Sequence, residues 1–342
     1  MKKVGILTGG GDCPGLNSVI RAAVRYAIHE DYQVTGIKNG WKGLVENDTV
    51  ELNLQSVSGI LPKGGTILGT SRTNPYKKEN DIKNAKENFK KMGLEALIAV
   101  GGEDTLGVAH KLYKDGFNVV GAPKTIDNDL NCTDVTFGFD TAINIATDAI
   151  DRLRTTAESH HRIMVVEVMG RHAGWIALES GIAGGADVIL IPEVPIDIDE
   201  VCGIIKKRHS RGKTFSIVVT AEGAQFKKGT MVLQEEKLDA FGHVRLGGIG
   251  QRIGEEIEKR TGYETRVTVL GHVQRGGTPT AFDRVLGTRF GIKAMDLVLK
   301  KDYGKMASVQ GNKIVAVSLE AAVSELKTVD MEFYNIAKIF FG

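Results

Sequence analysis

The chain has 342 residues, and its 44 basic and 42 acidic side chains leave a formal charge of only +2. Hydrophobic residues at 42% and charged residues at 25% match ordinary globular chains with room for two domains and a buried core in each. The near-neutral balance excludes the broad cationic footprint of a nucleic-acid binder. Three scattered cysteines, Cys13, Cys132 and Cys202, exclude a disulfide framework or a cysteine zinc site.

Glycine is the anomaly: its 42 copies are about 12% of the chain against a norm of about 7%. They stand beside apolar runs, as expected of ordered loops that end strands and approach a ligand closely. The first run, Met1–Leu7, imitates the start of a signal peptide but dies at Gly9-Gly10-Gly11-Asp12, too short for the apolar segment such a peptide needs. No run approaches the roughly 18 residues of a membrane span, so a soluble, cytoplasmic protein is expected.

Val4–Thr8 predicts a buried strand, then the loop Thr8-Gly9-Gly10-Gly11-Asp12-Cys13-Pro14-Gly15 and a helix beginning near Asn17. Pro14 stands where a dinucleotide fingerprint needs its third glycine. What remains is a run of backbone N–H groups at a helix start, suited to phosphate or to a plain tight turn. Leu97–Gly101 is the next strand, closed by Gly101-Gly102-Glu103-Asp104-Thr105. Its glycines admit an anion that two adjacent carboxylates would repel. Mg2+ resolves that conflict, since it favours carboxylate oxygen together with phosphate; acidic capping of a helix is the plainer alternative. Val119–Ala122 leads into Pro123-Lys124-Thr125-Ile126-Asp127-Asn128-Asp129. If that stretch is extended, Asp127 and Asp129 project to one side. One can then take a proton from a hydroxyl while the other orients it or assists a metal. Lys124 and Thr125 would meet phosphate; a solvated charged turn is the alternative.

Phe137–Asp140 reads as a crossing between two lobes. A helix follows from Asp140 to about Glu158, capped by Asp140 or Thr141, with Ile143, Ala146, Ile150 and Leu153 on one stripe. His160 and His161 would point about 100° apart on a helix and read as surface residues. Strands are expected at Ile163–Val168, Val188–Ile191, Ser216–Thr220, Val267–Leu270 and Ile314–Val317. Three close in polar glycine loops: Val168–Gly174, Thr220–Gly223 and Gly271–Gly277. There His272 and Arg275 suit a sugar phosphate, and Glu222 suits sugar hydroxyls. Gly212-Lys213-Thr214 is no P-loop, because Lys207 stands where the leading glycine belongs. Lys227–Leu246 reads as a polar excursion, and Gly271–Thr278 as a return crossing. The alternation of strand, loop and helix predicts an α/β protein with a largely parallel sheet, binding ligands beyond the carboxyl ends of its strands.

The six segments TGGGDCPGLN, GGEDT, PKTIDND, MGRHAGW, AEG and TVLGHVQRGG, in this order, resemble the phosphofructokinase family across nearly the whole chain. The resemblance implies two Rossmann-like lobes with mainly parallel sheets and an active site in the cleft between them. The phosphoryl-donor lobe would comprise residues 1–138 plus about 274–324, and the sugar-phosphate lobe 139–273 plus about 325–342. It also implies transfer of a phosphoryl group to the 1-hydroxyl of fructose 6-phosphate with Mg2+. Asp127 looks like the base, with Thr125, Asp129 and Arg171 among the catalytic groups, and Glu103 looks like the Mg2+ residue. Gly11 and Arg72 resemble donor-phosphate contacts. Met169, Gly170, Arg171, Glu222, His272 and Arg275, together with Thr125 and Asp127, resemble the sugar-phosphate site. Arg162 and Arg266 resemble arginines contributed by a neighbouring subunit, implying a dimer or a tetramer.

Two positions bear on the donor. ATP-using members resemble GGDG and PGTIDND, with glycine at the places of Asp104 and Lys124. Asp104 would fill and repel the α-phosphate position of ATP, and Lys124 would meet the leaving phosphate of pyrophosphate. The pair therefore looks like the pyrophosphate-dependent type, with a plain Asp–Lys ion pair as the other reading. An ATP-dependent kinase and a non-catalytic sugar-phosphate-binding protein are the competing functions.

Overall fold

The computed structural model describes residues 2–227 and 248–342. Of the excursion read over Lys227–Leu246, everything beyond Lys227 lies outside the described residues. The strands are β1 (Lys2–Thr8), β2 (Tyr32–Ile37), β3 (Thr49–Leu52), β4 (Ala96–Gly101), β5 (Val119–Pro123), β6 (Ile163–Val168), β7 (Val188–Leu190), β8 (Ser216–Ala221), β9 (Thr265–Val269), β10 (Lys305–Gln310) and β11 (Lys313–Ser318). Between them run α1 (Leu16–His29), α2 (Trp41–Glu46), α3 (Glu79–Lys91), α4 (Glu103–Lys114), α5 (Phe139–His160), α6 (Trp175–Ala183), α7 (Ile198–Ser210), α8 (Ile249–Thr261), α9 (Ala281–Leu299), α10 (Leu319–Ala322) and α11 (Met331–Lys338). This is an α/β fold with two sheets. The chain groups into two units: Met1–Ile126, Leu130–Thr141 and Arg275–Leu326 form the first, and Asp127–Asp129, Ala142–Gln274 and Lys327–Gly342 the second.

The first unit is built on a seven-stranded sheet in the order β11-β10-β5-β4-β1-β2-β3. Its inner strands are parallel, while β3 and β11 close the edges antiparallel. β4 and β5 are buried at every position, which explains their unbroken apolar sequences. One face is filled by Leu7, Ile37, Trp41, Leu97, Leu106 and Met306. Elsewhere in this unit α1 and α9 pack together. A Cβ at Gly291 would lie 2.5 Å from the Val19 carbonyl oxygen, so glycine is what permits that close crossing.

The second unit has a four-stranded, all-parallel sheet in the order β7-β8-β6-β9. α7 and α8 bury Val201, Ile205, Ile253 and Ile257 with Val165 and Val218 of the sheet.

Two expectations about α5 are corrected. Neither Asp140 nor Thr141 is its cap. Asp283, fully buried at the start of α9, accepts from the Gly138 N–H (2.9 Å), the Thr141 N–H (2.8 Å) and the Thr141 hydroxyl (2.5 Å). Asp140 instead accepts from the Thr280 hydroxyl at 2.6 Å. The buried line is Ala142, Ala146, Ile150 and Ala157, while Ile143 and Leu153 are only half-buried.

Candidate active site

In the first unit the order β5-β4-β1-β2 puts the topological switch between β4 and β1, where open parallel sheets bind ligands. The loops after β1, β4 and β5 meet there. Gly9 N–H donates to the Val100 carbonyl at 2.9 Å, and Lys124 N–H to the Gly101 carbonyl at 3.0 Å. Proximity requires the glycine at Gly9, where a Cβ would stand 2.6 Å from the Thr105 hydroxyl; at Gly11 a Cβ would stand 2.7 Å from the Arg275 guanidinium, which would have to swing aside. Arg275, expected at the sugar phosphate, thus lies in the first unit against Gly11. Lys124 is buried at 4% exposure, and its ammonium donates to the Gly11 carbonyl. A buried ammonium is costly to desolvate, and the bond to the Gly11 carbonyl offsets part of that cost.

Glu103 and Asp104 are exposed in the first turn of α4, whose N-cap Gly102 makes no side-chain cap. Carboxylates there favour the positive end of the helix dipole. Among the described residues no group of three or more His, Cys, Asp or Glu could hold a metal ion.

The Lys124–Asp129 stretch is not extended throughout, correcting the premise for its two aspartates. Asn128 takes a left-handed φ of 53°, and the chain bends at Ile126 and Asp127. Exposure still alternates: Ile126, Asn128 and Leu130 are buried, while Thr125, Asp127 and Asp129 are half-buried. The Thr136 hydroxyl donates to the Thr125 carbonyl at 2.7 Å. In the second unit, Lys327 donates from its ammonium to the Asn128 side chain (2.9 Å) and from its backbone to the Asp129 carbonyl (2.9 Å). Asp127 Oδ1 is shielded from solvent.

The second unit gathers the loops after β6, β8 and β9 in the same way. Glu222 N–H donates to the Val168 carbonyl at 2.8 Å, and Gly223 N–H to the Gly170 carbonyl at 3.3 Å. Gln274, with no exposed surface, accepts from the Met169 N–H at 3.4 Å and donates to the Gly271 carbonyl at 3.1 Å. Gly170 needs its glycine, with φ of 132°. Met169, Gly170, Arg171 and Glu222 are therefore neighbours, with exposed His272 on the third loop. Arg162 and Arg266 are not among them. They sit at the amino ends of paired strands β6 and β9, roughly 20 Å along the sheet from Met169 at the usual rise per residue. Glu264 binds both, Arg162 at 2.9 Å and Arg266 more closely. Those guanidinium groups hold the Glu264 carboxyl below its ordinary range.

The phosphofructokinase family model matches residues 3–298. The chain belongs to the phosphofructokinase family. It is 59% identical over 342 residues to the pyrophosphate–fructose 6-phosphate 1-phosphotransferase of Streptomyces coelicolor, covering 99% of this chain and 100% of that one. It is also 54% identical over 329 residues to ATP-dependent 6-phosphofructokinase 3 of the same organism, covering 96% of each. Among solved structures, the T-state phosphofructokinase of Pichia pastoris matches with a TM-score of 0.85 and 32% identity. It aligns with 99% of this chain, which spans only 36% of that longer one.

For this phosphofructokinase, sequence reasoning missed the polar side chains that hold the loops. Gln274 stands inside a recognised segment without a stated role, and so does Asn17. Glu193, which accepts from the Gly174 N–H at 3.0 Å and the Val329 N–H at 2.9 Å, carries no local signal at all. No helix among the described residues is long and apolar enough to cross a membrane.

Proposed function

We propose that this enzyme transfers a phosphoryl group reversibly from pyrophosphate to the 1-hydroxyl of fructose 6-phosphate in the cytoplasm, using Mg2+ and giving fructose 1,6-bisphosphate and phosphate. The observation that carries the donor is Lys124, a buried ammonium held at the Gly11 carbonyl, paired in sequence with Asp104. A pyrophosphate donor brings no adenosine to help binding, so a fixed cation at the glycine loop offsets that loss. Gly11 and Arg72 would hold the donor phosphates, with the Arg275 guanidinium beside Gly11; the Gly9 and Gly10 N–H groups are used in bonds to Val100 and Ser71. Glu103 would hold Mg2+, directly or through water, and the ion would offset charge on the phosphoryl oxygens. Asp127 takes the proton of the 1-hydroxyl, with Thr125 and Asp129 beside it. Met169, Gly170, Arg171, Glu222 and His272 hold the sugar phosphate.

Arg162 and Arg266 lie far from these groups along their own sheet, which supports their serving the site of a neighbouring chain in a dimer or tetramer. The two contributions to the reaction, positioning and charge stabilisation, are the main ones phosphoryl transfer needs.

A second reading, ATP as donor, is favoured by the 54% identity to an ATP-dependent relative. The deciding measurement is kcat/KM for ATP over pyrophosphate in wild type, Asp104→Gly, Lys124→Gly and the double variant. The proposal requires a low ratio in wild type and a rise on Asp104→Gly, because space opens and repulsion of the α-phosphate ends. Lys124→Gly should chiefly reduce turnover with pyrophosphate. Both residues are proposed to act on the same donor, so their effects need not add. A wild-type preference for ATP would refute the donor assignment and leave the family membership intact.

A further inference from the structure

Between β3 and the 3-10 turn at Pro75–Lys77, residues 53–74 contain no strand and no helix. So long an irregular segment inside a compact unit is uncommon and is usually functional. One buried side chain clamps its middle. Asn17, in the first turn of α1 and only 1% exposed, donates its amide N–H groups to the Lys63 carbonyl at 3.0 Å and the Gly64 carbonyl at 3.3 Å. Its amide oxygen accepts from the Ile67 N–H at 2.9 Å. The contact is close on the far side as well: a Cβ on Gly64 would lie 2.2 Å from the Gly277 carbonyl oxygen, two residues past Arg275.

From that clamp the segment runs directly along the donor loop. The Thr8 hydroxyl donates to the Gly69 carbonyl at 2.8 Å, and the Thr70 hydroxyl to the Gly10 carbonyl at 2.6 Å. Gly10 N–H donates back to the Ser71 carbonyl at 3.3 Å, and the Ser71 hydroxyl is fixed on the Asn39 carbonyl at 2.6 Å. The next residue is Arg72. Only a carboxamide offers two donors and an acceptor in this geometry.

We propose that Asn17 is a positioning residue for the phosphoryl donor, acting through the 63–72 segment to set Arg72 and the Gly10–Gly11 backbone. The inference rests on the reading of Gly11 and Arg72 as donor-phosphate contacts. Asn17→Asp keeps the shape but turns two donors into acceptors facing two carbonyls; Asn17→Ala leaves those carbonyls and the Ile67 N–H without their partner.

Steady-state kinetics on the full-length enzyme tests it, with pyrophosphate, ATP and fructose 6-phosphate each varied in turn. For the donor that wild type uses, both variants should raise KM about tenfold, the equivalent of one ordinary hydrogen bond. KM for fructose 6-phosphate should stay within about twofold. In an Arg72→Ala background, adding Asn17→Ala should raise donor KM by clearly less than the roughly tenfold seen alone, because the route through Arg72 is already lost and only the Gly10–Gly11 backbone remains to be misplaced. Thr70→Val, which removes only the bond to the Gly10 carbonyl, should give the same split on a smaller scale and guards against a misfolded Asn17 variant. Equal shifts in both KM values, an unchanged donor KM, or full multiplication with Arg72→Ala would each overturn the inference. Failure of the pyrophosphate reading would appear instead in wild type itself, as a preference for ATP.

Discussion

Gly223→Ala tests the loops proposed to hold the sugar phosphate. The added Cβ would lie 1.9 Å from the Arg171 carbonyl oxygen, 2.8 Å from its carbon and 3.0 Å from the Gly170 oxygen. All three are backbone atoms, so no rotamer change relieves the overlap. Restoring an ordinary C···O separation of about 3.3 Å requires the β6 and β8 loops to part by about 1.4 Å. Overpacking of this kind costs about 1–3 kcal/mol, and loss of the Gly223–Gly170 hydrogen bond adds about 1 kcal/mol. A shift of about 1 Å in positioning groups can lower turnover about 100-fold. Steady-state rates should therefore show a fall on that order in kcat/KM for fructose 6-phosphate, with donor KM within about twofold of wild type. Gly203→Ala is the control: its Cβ meets nothing within 4 Å on the exposed side of α7, and alanine there should stabilise the helix by about 1 kcal/mol. Wild-type kinetics in folded Gly223→Ala, or equal losses toward both substrates, would refute the placement of the sugar phosphate on these loops.

Asp127→Asn should retain sugar-phosphate binding while turnover falls on the order of 100- to 10,000-fold, since an amide cannot accept the hydroxyl proton; near-normal rates would move the base elsewhere. Mixing Asp127→Asn with Arg266→Ala chains should restore activity after subunit exchange, because hybrid dimers hold one site with neither defect. Demonstrated hybrids that remain inactive would return Arg266 to its own chain's site. Burial pushes the Asp283 carboxyl up to about 6 against the opposing pull of its Thr141 and Gly138 bonds. A carboxyl raised in the folded state binds more protons there than when unfolded, so this group weakens the fold as pH rises from about 4 to about 6. Denaturant melts at pH 4 and pH 7 should therefore shift the stability difference between Asp283→Asn and wild type in favour of the variant at the higher pH, by up to about 3 kcal/mol. A difference independent of pH would show that Asp283 is ionised at no unusual cost.

Strands β1 and β4 to β8 were legible because a mostly apolar run has no other way to be buried on both faces; β9 and β11 were legible from their apolar letters alone, although β9 is buried only at Thr265 and β11 is no more than half-buried. β2 and β3 were not: YQVTGI breaks its pattern with polar residues and glycine, and TVEL at the sheet edge is buried only at Leu52. β10 escaped because its interior includes Ser308, which is acceptable only because its hydroxyl donates to the Cys132 carbonyl. The site residues themselves lay in short segments following strands, where loop chemistry is compressed into a few letters. Their supports did not. The partner of the α5 start, Asp283, is 142 residues from Thr141, and a distance of that kind leaves no periodicity to read. The left-handed Asn128 was likewise invisible, since asparagine reaches that conformation without advertising it.

Glu264 has a chemical consequence for whatever reaches the arginine pair. A tethered carboxylate on both Arg162 and Arg266 is a resident competitor that every incoming anion must displace. A lone carboxylate offers the two guanidinium groups no more than Glu264 already does, and Glu264 is always at hand. A phosphate monoester, with up to two charges and three acceptor oxygens, can satisfy both forks at once. If the pair serves a neighbouring chain's site as proposed, it would be a filter as well as an anchor: it would discriminate against organic acids that carry only carboxylates, and Glu264 would occupy half-buried Arg162 and exposed Arg266 until a phosphate monoester arrives.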